Sequence, residues 1–98
     1  MHDATYKLPI DPPDRVWRLE WKQIGKGHKY DGKCYPSRRI AIDPRVITDG
    51  QQATVETIVH EVLHAMAPWA DENWVTAAAA KLAEVLIDQD VLKDNWGD

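Results

Sequence analysis

Between residues 55 and 66 the apolar side chains fall at Val55, Ile58, Val59, Val62, Leu63 and Met66, the three-and-four spacing of an amphipathic helix. At about 100° per residue the stripe centres on Val55, Val59, Val62 and Met66. A helix is therefore predicted over residues 51–66. A capping box of Thr48 with Gln51, or of Asp49 with Gln52, opens it, and Pro68 stops it. A second helix is predicted from residue 72 to about residue 92, N-capped by Asp71. Its face is Val75, Ala78, Ala79, Leu82, Val85 and Leu86, and the run Ala77-Ala78-Ala79-Ala80 lets a neighbouring helix approach closely. The link between the two is short, so they should pack as neighbours on one face of a small sheet.

Upstream the period changes to two. Trp17, Leu19 and Trp21 alternate with Arg18, Glu20 and Lys22, which predicts a half-buried strand over residues 16–22. Gly25, Gly27 and Gly32 punctuate the next stretch, and a short strand is predicted near residues 28–30 or 33–35. Residues 39–43 read as another strand, with Ile40 and Ile42 inward, closed by Asp43-Pro44 and succeeded by a loop over residues 44–50. Arg38 and Arg39 read as a solvated strand edge. Residues 1–14, with Pro9, Pro12 and Pro13, are expected to form an extended lead-in. The sum is an α+β fold: a small, mostly antiparallel sheet of about three strands, then two packed helices. A chain of 98 residues suits one domain, residues 1–98.

Composition narrows the class. Hydrophobic residues make up 44% and charged residues 29%, which suits a soluble globular protein and not a disordered one. Five tryptophans stand against no phenylalanine, so Trp17, Trp21 and Trp74 are expected to supply core volume. Trp69 and Trp96 fit either a partner surface or local packing. A net charge of −4 without a basic stripe argues against nucleic-acid binding. Cys34 is the single cysteine, which rules out an internal disulfide and suits a reducing compartment. Residues 1–14 hold no signal-like apolar run and no segment is long enough to span a membrane, so a cytoplasmic location is expected.

The chemistry is concentrated in residues 60–64, His-Glu-Val-Leu-His. On a helix, His60 and His64 lie one turn apart on one face, where two imidazoles can grip a divalent ion. Glu61 between them can then reach water at that ion. The pair projects roughly opposite the apolar stripe, with Glu61 on a third flank. The bland alternative is two solvated histidines on a surface helix. A catalytic zinc needs a third protein ligand. The longer motif that supplies a third histidine requires Gly at 67 and His at 70, and this chain has Ala67 and Ala70. Carboxylates at the start of the second helix remain, Glu72 or Asp71. Glu72 is favoured because Asp71 is engaged if it caps the helix. Glu56 reads as a surface charge, with partnership to a histidine as its alternative, while Glu84 and Asp88 should be solvated.

Strand 39–43, then His60-Glu61-Val62-Leu63-His64-Ala65, then a short turn into an acidic, alanine-rich helix resembles the small gluzincin-type zinc metallopeptidases. It is similar in particular to the compact peptidase domains of bacteriophages and mobile elements. The likeness spans about residues 15–92. It implies zinc held by His60, His64 and a glutamate of the following helix, best matched by Glu72, and for a viral protein it implies the host cytoplasm. The chain departs from the family in lacking an Asn-Glu-x-x-x-Asp run.

The reaction expected is hydrolysis of a peptide or protein substrate, with Glu61 as general base. The strand around Ile40 is expected to align the peptide by edge addition, and His28, Tyr30 or Tyr35 to donate to the oxyanion. Cys34 is expected to be an idle thiol, with inhibitory ligation as its alternative. The rival readings are a non-catalytic, zinc-stabilised interaction module and a metal-free helical hairpin adaptor.

Overall fold

Val16–Trp21 forms the strand that its alternation predicts, with Leu19 buried and Trp17 and Trp21 packed against the same core. The computed structural model describes residues 3–10, 15–27 and 30–89. In chain order these carry β1 (Ala4–Lys7), β2 (Val16–Trp21), β3 (Gly32–Tyr35), β4 (Arg39–Ile42), α1 (Gln51–Met66) and α2 (Glu72–Asp88). A 3₁₀ helix, Pro44–Asp49, joins β4 to α1. The architecture is α+β, and no described helix is long and apolar enough to cross a membrane.

The sheet has four strands in the order β1-β2-β4-β3. The outer pairs are antiparallel, and the central pair, β2 with β4, is parallel. Leu19 lies beside Ile40 and Ile40 beside Cys34, so one sheet face carries a continuous apolar band. Leu19, Ile40, Ile42, Val46 and Ala65 form the buried cluster beneath α1. Two expectations fail here. Residues 1–14 are not simply a lead-in, because β1 pairs with the open edge of β2, drawn there by backbone hydrogen bonds more than by burial. The strand carrying Ile40 is not an edge, since β2 and β3 flank it and occupy both of its hydrogen-bonding sides. The edge nearest α1 is β3.

Asp43 explains the turn out of the sheet. Its side chain is fully buried and accepts hydrogen bonds from the Arg45 and Ile24 amides at 3.0 and 3.1 Å, capping the 3₁₀ helix and tying down residues 24–27. The Arg45 guanidinium closes on both carboxylate oxygens, at 2.9 and 2.6 Å. Residues 44–50 are thus helical rather than a loop. That helix runs directly into α1, whose N-cap is Gly50 at φ 107° with no side-chain cap, so neither predicted capping box forms. Thr48 donates backward to the Arg45 carbonyl, and Thr54 donates to that of Gly50.

Helix α1 keeps its predicted bounds. Its inward face differs: Thr54, Val55, Glu61 and Ala65 are buried, with Ile58 and Val62 against the core. Glu61 therefore faces the sheet rather than an outer flank. Asp71 caps α2 as expected, accepting from the Trp74 amide at 3.3 Å. Helix α2 ends at Asp88; the last part of its predicted span, residues 90–92, lies outside the described residues. It packs chiefly on α1 through Val75, Ala79 and Ala83, so α1 alone covers the sheet closely. Trp74 is 56% exposed and stands outside the core cluster. Trp69 is 81% exposed. Arg39 is half-buried, paired with Glu20 at 3.5 Å and stacked 4.6 Å over the Tyr35 ring, not a solvated edge residue. Trp96 lies outside the described residues.

Candidate metal centre

His60 and His64 sit on successive turns of α1, and the Ala67–Ala70 turn brings the first residue of α2 back over them. Their Nε2 atoms approach to 2.9 Å, with ring centroids 4.6 Å apart. The Glu72 carboxylate straddles the pair, Oε1 at 3.0 Å from His60 Nε2 and Oε2 at 2.9 Å from His64 Nε2. Among the described residues these three are the group whose donor atoms converge closely enough for one ion. Donors on a tetrahedral zinc lie about 3.3 Å apart, given bonds of about 2.0–2.1 Å, so the set needs to open by only a few tenths of an ångström. Two imidazole nitrogens and a carboxylate oxygen also match the donor types zinc takes. The residues fit the ion.

Of the two candidate carboxylates, Glu72 joins the cluster and Asp71 is engaged as the N-cap. At 61% exposure, the Glu72 side chain stands at the solvent side of the cluster. Among the described residues no hydrogen bond joins Glu56 to either histidine, and Glu84 pairs with Lys81 at 3.0 Å instead.

Glu61 has the opposite environment. It is only 8% exposed, pressed between α1 and the start of β3. Burial pushes its carboxyl pKa up; the facing His60 and His64 pull it down, and the Glu72 charge adds to the rise. Its carboxyl lines the same cleft as the three donors. Gly32 makes that placement possible. A Cβ there would sit 2.8 Å from Glu61 Cγ and 2.9 Å from Thr57 Cγ2. In the sequence Gly32 reads as mere punctuation, although a lone glycine at a strand marks close approach of another element.

The cleft is about 1060 Å³ and runs from His60, Glu61, His64 and Glu72 along the β3 edge toward the β3–β4 turn. Tyr30 and Tyr35 both line it, and Trp17, Pro68 and Trp69 add apolar wall. Tyr35 also carries the Arg39 guanidinium on its ring. His28 lies outside the described residues. Cys34 is half-buried against the core and outside the cluster. Burial, then the Glu61 charge, pushes its thiol up to about 11, so it stays protonated and is a poor ligand at neutral pH.

Comparison of the chain with protein-family models, with curated proteins and with solved structures gives no match.

Proposed function

We propose that this chain is a zinc-dependent peptidase of the small gluzincin-like kind, with His60, His64 and Glu72 as ligands and Glu61 as general base. The observation that carries the reading is the convergence of two imidazole nitrogens and one carboxylate, with one donor atom from each lying within 4.8 Å of the others, on one side of a cleft where Glu61 is buried as a neighbour. Structural zinc sites close with four protein ligands, whereas three leave a position open for substrate chemistry. A divalent ion held here supplies the positive charge that acidifies water and polarises a carbonyl.

The chain's own groups do the rest. Glu61 takes a proton from the attacking water and returns it to the departing amine, a shuttle its raised pKa suits. The β3 edge aligns an extended peptide by main-chain hydrogen bonds, a role that the sequence alone suggests for the strand of Ile40. Tyr30 or Tyr35, from the cleft wall, supplies a hydroxyl to the developing oxyanion.

One observation favours the second reading, a zinc-stabilised interaction module: the donors come from both helices, so an ion would clasp α1 to α2. Glu61→Gln separates the two. As a base, Glu61 is worth about 10²–10⁴ in rate, so the zinc-loaded variant should lose peptide hydrolysis by that factor with zinc content and melting temperature nearly unchanged. Undiminished hydrolysis in Glu61→Gln rejects the role of the base. A zinc-loaded wild type that cleaves no peptide, and that unfolds on chelation, favours the module.

A further inference from the structure

The β3–β4 hairpin turns through residues 36–38, and its last turn residue, Arg38, holds φ 62°. That is the left-handed region, where three-residue hairpin loops usually place glycine. An arginine there accepts a conformational cost. The Arg38 backbone is tied by hydrogen bonds from its own amide to Tyr35 and from the Arg18 amide to its carbonyl, but its guanidinium has no carboxylate partner among the described residues. Its neighbours differ: Arg39 pairs with Glu20 and Arg45 with Asp43. Arg38 is half-buried and lines the same cleft as His60, Glu61, His64 and Glu72. Lys33, midway along β3, lines it too, over the Tyr35 ring at 5.4 Å. The cleft is thus electrically graded, acidic at the donor cluster and basic at the hairpin, in a chain of net charge −4.

We propose that Arg38 is a specificity-determining residue that binds an acidic side chain of the substrate, on the N-terminal side of the bond to be cut. The proposal rests on the peptidase reading for its direction. A peptide added antiparallel to β3 runs from the hairpin toward Gly32, so its N-terminal part meets Arg38 while its cleaved carbonyl lies by Glu61. Gly32 to Tyr35 spans about 10 Å at roughly 3.3 Å per residue, which sets the acid about three or four positions upstream of the cleaved bond. The guanidinium fork suits a carboxylate in two hydrogen bonds.

The test uses the zinc-loaded Glu61→Gln chain and two fluorescein-labelled peptides of about ten residues, alike except for Glu or Gln at the upstream position. Fluorescence polarisation reads the affinities. The Glu peptide is expected to bind about tenfold tighter. Arg38→Gly should reduce that preference to within about twofold without lowering the melting temperature, since glycine suits φ 62°. Arg38→Lys should keep part of it. Equal affinities for the two peptides, no binding of either, or a preference that survives Arg38→Gly each overturns the proposal. Wild-type protein with Glu61 restored separates the two ideas. Arg38-dependent binding without cleavage retains this assignment and rejects the peptidase. Cleavage indifferent to the upstream acid does the reverse.

Discussion

Glu61 and Gly32 form a pair at the level of single residues: the carboxylate is buried where it is because the strand opposite carries no side chain at its point of closest approach. Gly32→Ala would press a methyl within 2.8 Å of Glu61 Cγ and 2.9 Å of Thr57 Cγ2. Overpacking of this kind typically costs about 1–3 kcal/mol. The variant should melt at lower temperature and lose the proposed peptide hydrolysis beyond its loss of folded protein; a stable Gly32→Ala with that activity undiminished would mean that β3 does not position Glu61. Asp43 anchors the same open end of the hairpin, where Gly32 pairs with Ile42. The Arg45 side-chain hydrogen bonds, then the Ile24 and Arg45 amides, hold its carboxyl well below the ordinary carboxylate range, although burial opposes them. A depressed carboxyl stabilises the fold fully above its unfolded pKa of about 3.9, and that contribution is lost as pH falls toward the folded value. Asp43→Asn should therefore cost about 2–4 kcal/mol at neutral pH, with Arg45 left partly exposed to water. Urea titrations should show the gap from wild type shrinking near pH 2; a gap independent of pH contradicts the assignment.

At the level of elements, the turn between the helices matters most, because it sets Glu72 over the histidines. Asp71 closes that turn by capping α2. Asp71→Ala should cost about 1 kcal/mol in stability, as cap removals do, and should weaken zinc binding through the fraying of Glu72. Competition with a chelator of known affinity reads the second effect; unchanged zinc affinity would show that Glu72 needs no cap to reach the cluster. Both helices are legible in the sequence, since each carries a long 3.6-residue pattern and α2 an evident cap. The strands are legible only in part. Alternation in residues 16–21 announces β2, whereas the mostly exposed Ala-Thr-Tyr-Lys of β1 carries no signal apart from its neighbour. Periodicity tells which face of a strand is buried but not which strands flank it. That is why β4 reads as an edge and proves interior.

At the level of the whole molecule, sheet and helices meet along one cleft, with the donor cluster at one end and the hairpin at the other. The motif in residues 60–64 marks the two histidines and Glu61 by local spacing, and the cap at Asp71 leaves Glu72 as the carboxylate that meets the histidines. The burial of Glu61 is hidden, because a polar residue falls outside any count of the apolar stripe although it shares a face with Ile58, Val62 and Ala65. Gly32, Arg38 and Asp43 are hidden too, since their roles depend on tertiary neighbours far away in the chain. The proposed chemistry depends on one divalent ion held between His60, His64 and Glu72. Diffraction from crystals grown with zinc, with data collected on either side of the zinc absorption edge, tests it most directly. A single anomalous peak is expected about 2.0–2.2 Å from both Nε2 atoms and from one Glu72 oxygen. Ordered rings that point apart, with no peak between them at saturating zinc, would contradict the account.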